Sequence, residues 1–144
     1  MYVTSKMSRD QTKVTAWLIR ELSTDDAVNA LRTMIETRVI NPAVYTYATV
    51  DYDVSKGLDR DVNSPGHYAL KFGSRKQGVA MVFVHPITAG YHGSGPHACY
   101  ECLQLMGFLQ GRSKEDCKEL FSKEVYYDEG VRKENPVISL TYYK

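Results

Sequence analysis

No apolar run in these 144 residues approaches the length needed to cross a bilayer, and residues 1–10 lack the apolar core of an export signal. The expectation is a cytoplasmic protein with no membrane partner. A disulfide framework is also disfavoured. Cys99, Cys102 and Cys117 are an odd number of cysteines in a chain without an export signal, which points to reduced thiols. An excess charge of either sign is missing too: 18 Lys and Arg against 17 Asp and Glu leave a formal net charge of +1, which makes nucleic acid an unfavourable partner. There is no internal repeat, low-complexity tract or interdomain linker. Phenylalanine occurs four times and tyrosine eleven. Tyrosine is apolar on its face and polar at its tip, so such an excess suits a flat, partly polar ligand or a wet subunit interface.

A chain of this length can bury a core without metal or disulfide staples, so one domain, residues 1–144, is expected. Residues 2–7 alternate weakly, as an edge strand does. Val14, Trp17, Leu18 and Leu22 fit a helical stripe, and a helix is the expectation there, although residues 14–19 also suit a strand. Ser23 and Thr24 ahead of Asp25 and Asp26 mark a helix start, with Ala27, Val28, Leu31, Met34 and Ile35 on one face and Asn41-Pro42 at its end. Residues 44–54 alternate as a long strand: Ala48 and Val50 lie on an apolar face, and Tyr45, Tyr47, Asp51 and Asp53 on the opposite one. Residues 55–66 read as a loop and possible lid. Residues 67–72 and 79–84 flank the turn GSRKQG as a hairpin whose tip carries Arg75 and Lys76.

After His85 and Pro86, three glycines lead to a segment in which Ala98, Cys102, Leu105 and Leu109 recur at helical spacing. Pro96 suits its first turn, with Ser94 or Gly95 as cap. Gly107 ends it, and Phe108 folds back as the hydrophobic contact of a C-terminal cap. A second helix begins at Ser113, burying Cys117, Leu120 and Phe121. Residues 126–135 read as polar and irregular, and residues 137–143 as a closing strand. The sum is an α+β fold: a mixed, mainly antiparallel sheet of about four or five strands with helices on one face.

Strand, glycine-rich loop and helix N-terminus together favour anions, because first-turn N–H groups lack partners and carry the positive end of the helix dipole. The candidate ligand-binding residues are therefore Gly90, Tyr91, His92, Gly93, Ser94, Gly95 and His97. Arg75 and Lys76 would neutralise the anion, and Tyr45, Tyr47 or Tyr91 would stack on a base-like ring. The loop matches neither the P-loop nor the dinucleotide fingerprint.

His97, Cys99 and Cys102 form an H-x-C-x-x-C pattern that suits zinc, and Cys99 near a helix start can serve as a nucleophile. Both cysteines, however, fall on or beside the core stripe, so they are read as core residues and no metal or cofactor is expected. Asp51 and Asp53 form a candidate carboxylate pair, with a solvated strand face as the simpler explanation. Residues 96–125 have the outline of a helix-turn-helix, but the acids in SKEDCKEL oppose DNA.

Three functions follow in order. The first is a module that senses or sequesters a small anionic, nucleotide-derived ligand, as a homo-oligomer whose subunits can build the pocket between them. The second is an enzyme on a phosphorylated or nucleotide substrate, with His92 or His97 as acid or base. The third is a protein–protein interaction protein using tyrosine contacts.

Overall fold

A period of two along the strands organises the molecule, and a computed structural model describes it over residues 3–53, 68–90, 93–121, 125–134 and 137–144. In chain order the elements are β1 (Val3–Met7), β2 (Val14–Arg20), α1 (Thr24–Glu36), a 3-10 turn (Pro42–Val44), β3 (Tyr47–Asp53), β4 (Leu70–Gly73), β5 (Met81–His85), α2 (Ser94–Leu105), α3 (Lys118–Phe121), β6 (Val125–Asp128), β7 (Val131–Glu134) and β8 (Val137–Tyr143). Six strands form one sheet in the order β1-β2-β5-β4-β3-β8, and β6 pairs with β7 as a separate hairpin. Only the β2–β5 pairing among these is parallel. The fold is α+β with a mixed, mostly antiparallel sheet, one strand wider than the upper expectation.

The register stacks apolar residues in rows across the sheet. One row runs Val3, Ile19, Val84, Leu70, Val50, Leu140; the next runs through Trp17, Val82, Phe72, Ala48 and Tyr142. Ala27, Val28, Leu31 and Met34 of α1 and Ala98, Cys99, Cys102 and Leu103 of α2 belong to the same buried cluster as these rows. The helices thus cover the face that the rows create. The opposite face carries a smaller cluster of Ala16, Leu18, Tyr68 and Phe83.

That second cluster explains why β2 is a strand where a helix was expected. Ala16 and Leu18 are buried on one face, while Ile19 is buried and Trp17 packs on the other. A strand covered on both sides loses its alternation and becomes indistinguishable from a helical stripe. Leu22, the last residue of the supposed stripe, is 91% exposed.

Caps set the helix ends. The Ser23 hydroxyl accepts the Asp26 N–H at 3.1 Å at the start of α1, as the Ser-Thr-Asp-Asp signal predicts. At the end of α2, Gly107 has φ +83, its N–H donates to the Gln104 carbonyl at 3.0 Å, and the Phe108 N–H donates to the Leu103 carbonyl at 2.9 Å. This is the paired C-terminal cap expected of Gly107, and it drives Phe108 into the core against Phe72.

Two other expectations change. The segment after Ser113 forms a turn closed by the Asp116 carboxylate, which accepts from the Ser113 N–H and hydroxyl, and then a helix of only four residues. It buries Cys117, Leu120 and Phe121 as expected but is too short for a helix-turn-helix. Residues 126–135, expected to be irregular, fall largely within the β6–β7 hairpin; its turn has Glu129 and Gly130 at positive φ. The supposed lid at residues 55–66 lies outside the described residues. No helix among the described residues is long and apolar enough to cross a membrane.

Phe72 is fully buried in the central rows, so Phe72→Ala is expected to lower stability by about 3–5 kcal/mol. Ser23→Ala, which removes one capping bond, should lower it by about 1 kcal/mol. Urea unfolding compares them. A Ser23→Ala loss as large as that of Phe72→Ala would contradict this ranking.

Candidate functional site

Strand register separates the predicted site residues into two groups. Tyr47 pairs with Gly73 at the hairpin end of the sheet, whereas Leu70 pairs with Val84 three residues back along β4, toward the loop that leads to α2. At about 3.3 Å per residue, Tyr47 and the hairpin tip stand more than 10 Å along the strands from the β5 end that feeds the glycine loop. Arg75, Lys76 and Tyr47 are therefore not brought to that loop within one subunit.

The glycine loop itself is largely occupied by packing. Gly90 has φ +92 and donates its N–H to the Leu120 carbonyl at 2.6 Å. A Cβ there would come within 2.7 Å of the Ile138 side chain, so glycine is required by close approach. Gly93, rather than Ser94 or Gly95, is the N-cap of α2, and no side chain caps the helix. Pro96 is the third helical residue, where its missing N–H still falls in the unpaired first turn. Gly95 and Pro96 are buried, and Ser94 is exposed. The exposed His97 rests its ring 4.9 Å from Phe121. Tyr91 and His92 lie outside the described residues.

Tyr45 is not a ligand platform. It is 2% exposed and belongs to the core, and its hydroxyl donates to the Ala80 carbonyl at 2.6 Å. Burial pushes this phenol up to about 12. The chain enters β3 only at Tyr47, and the preceding 3-10 turn, capped by Asn41, directs Tyr45 inward. Asp51 accepts a 2.9 Å hydrogen bond from the Ser139 hydroxyl, and the side chain of Asp53 lies outside the described residues.

Aromatic and basic groups do converge at the hairpin end. Tyr47 is flanked by Gly73 on β4 and Tyr143 on β8 in register. Its ring lies over Gly73, where a Cβ would overlap it. Tyr143 is 64% exposed, and the Arg75 guanidinium stands 5.7 Å from its ring centre. Arg75 is held through its own N–H, which donates to the Thr46 hydroxyl at 3.0 Å. Lys76 is exposed at the same tip.

Beside Tyr143 opens a groove of about 480 Å³ lined by residues 107–110, Arg112, Tyr142, Tyr143 and Lys144. Arg112 pairs with Glu119 at 2.9 Å, and the Tyr142 hydroxyl donates to the same carboxylate at 3.0 Å. Glu119 thereby fixes one wall. Burial, reinforced by Glu119, pushes the Tyr142 phenol well up, so it remains a neutral donor. Lys144 donates to the Pro42 carbonyl at 2.7 Å and lies 4.8 Å from the centre of the Phe108 ring. Burial lowers its ammonium below the usual lysine value. Chemically, the groove offers cations, phenols and an exposed ring within a volume that suits a small molecule.

Tyr142, Tyr143 and Lys144 were missed as site residues because their sequence reads simply as a strand end. The juxtaposed Tyr-Tyr-Lys was the available signal. Its meaning depends on pairing with Tyr47 and packing against residues 107–112, both of which are nonlocal.

Cys99, Cys102 and Cys117 are buried. Burial, followed by the neighbouring Cys102 and Cys117, raises Cys99 well above the ordinary thiol value. Burial and then Glu101 push Cys102 up to about 12. Comparisons with protein-family models, curated proteins and solved structures find no match to the chain.

A thiol held protonated and away from solvent reacts slowly. In the native protein at pH 8, Cys99 and Cys102 are expected to resist a disulfide-exchange reagent and to react promptly after unfolding in guanidinium. Mass mapping checks each residue. Rapid native labelling of either would contradict the buried, protonated assignment.

Proposed function

We propose that this protein is a binding module for a small anionic, nucleotide-derived ligand, which it senses or sequesters. The observation that carries this reading is the hairpin end of the sheet, where the Arg75 guanidinium stands over the exposed Tyr143 ring and the adjoining groove carries Arg112 and Lys144. A nucleotide requires such a combination: a flat face for its base and cationic donors for its phosphates. Glu119 answers Arg112 directly, while Lys144 in the groove and Arg75 over Tyr143 carry no carboxylate partner among the described residues.

This reading retains the ligand class and the neutralising role of Arg75 inferred from sequence, and gives the stacking role to Tyr143, the register neighbour of Tyr47. It moves the anchor from the glycine loop to the opposite end of the sheet. Gly90 spends its N–H inside the protein, and Gly95 is buried, so the loop has fewer free donors than its composition suggests.

Calorimetric titration with ADP and a panel of mono-, cyclic and dinucleotides tests the proposal. At least one nucleotide is expected to bind, with Tyr143→Ala and Arg75→Ala each weakening it by about tenfold through loss of stacking or charge. Ser94→Ala, at the uncapped helix start, is expected to leave binding unchanged. Absence of binding across the panel, or affinities that ignore Tyr143 and Arg75, would overturn the reading.

A further inference from the structure

We propose that Arg20 and His85, framed by Tyr68, form a separate receptor for a phosphate group, free or as a monoester, at the carboxyl ends of β2 and β5. This site does not rest on the groove. The parallel register pairs Arg20 directly with His85 and places both on the sheet face opposite α1 and α2. Both are half-buried. The ladder continues one step beyond them, because the Glu21 N–H donates to the His85 carbonyl at 3.1 Å, so the backbone under the pair is fixed.

Tyr68 closes one side. Its ring meets the imidazole edge-on with centres 5.9 Å apart and meets Phe83 at the same separation. Tyr68 is itself 2% exposed and therefore a rigid wall. Lys71, half-buried on the same face of β4, pairs with Phe83 one step toward the hairpin and adds a second cation.

Among the described residues, no carboxylate forms an ion pair with Arg20. A half-buried guanidinium beside an imidazole and an aromatic wall has given up part of its hydration, and an anion seated on it compensates that loss. Guanidinium geometry matches two phosphate oxygens at once. The imidazole beside it supplies a further donor.

The pair also couples binding to a proton. Burial first, and the Arg20 charge second, lower the His85 imidazole below its usual value, which favours the neutral ring at pH 7. Among the described residues, the groups facing it are Arg20 on β2 and Tyr68 ahead of β4, with Lys71 farther along the same face, and none of these is an acid. A phosphate seated on Arg20 offsets that positive charge and accepts a hydrogen bond from protonated imidazole. Binding therefore raises the proton affinity of His85, and by linkage protonation of His85 strengthens the hold on phosphate. Free inorganic phosphate takes up its own second proton above the lowered His85 midpoint, so the coupling is read at the imidazole and not from the overall pH dependence of affinity.

Proton NMR of the His85 ring in the whole protein tests this at constant ionic strength, with inorganic phosphate and phenyl phosphate titrated separately. A saturable shift with inorganic phosphate identifies the free anion as sufficient; one with phenyl phosphate alone identifies a monoester. In either case the His85 titration midpoint is expected to rise by roughly one pH unit. Arg20→Gln should raise that midpoint in phosphate-free buffer and abolish the phosphate response. Arg20→Lys, which keeps the charge but loses the fork, should bind roughly tenfold more weakly and serves as the readout if the glutamine variant fails to fold. Tyr143→Ala should leave the response intact, which separates this site from the groove. No saturable response to either compound, or one of unchanged affinity in a folded Arg20 variant, overturns the proposal.

Discussion

The architecture depends on keeping one face of a six-stranded sheet apolar through every change of strand direction. Ile19, Val84, Leu70, Val50 and Leu140 achieve this across five consecutive strands, although β2 runs parallel to β5 and the remaining neighbours in that stretch run antiparallel. A slip of one residue in any strand would turn its row toward the opposite face and present polar groups to α1 and α2. Burying side chains of this size stabilises the fold by roughly 1.5–3 kcal/mol each, which makes such a slip costly. The same register positions the chemically interesting groups, because every residue between two core residues must project from the other face.

Two ends of the sheet acquire different characters for this reason. At the carboxyl ends of the parallel pair, Arg20 and His85 fall side by side. At the other end, Gly73, Tyr47 and Tyr143 align across three strands, and the missing side chain at Gly73 gives the Tyr47 ring its resting place. The Gly107 cap then turns the chain after α2 so that Phe108 enters the core and residues 107–112 form a wall beside Tyr143. Helix termination and strand register thus jointly shape the groove.

Much of this was legible locally. Ser23 with Asp25 and Asp26 announced α1, Gly107-Phe108 announced the end of α2, and the alternation around Ala48 and Val50 announced β3. These signals act within one or two turns of chain. β2 was not legible, because Ala16 and Leu18 are covered on the face that solvent would otherwise mark as polar. The site was only half legible for a related reason. Arg75 and Tyr47 were recognised as basic and aromatic candidates, but their distance from the glycine loop follows from β3–β4 and β4–β5 pairing. Tyr45 looked like Tyr47 in sequence, yet the 3-10 turn before β3 sends it to the Ala80 carbonyl.

The central functional claim is the location of the nucleotide-derived ligand, and amide NMR mapping tests it most directly. Titrating the isotopically labelled protein with the tightest nucleotide should move resonances of residues 107–112 and 142–144 together with Arg75. Residues 93–97 at the start of α2 should remain in place. Shifts centred on residues 93–97, with the groove unperturbed, would contradict the account and restore the glycine loop as the anchor.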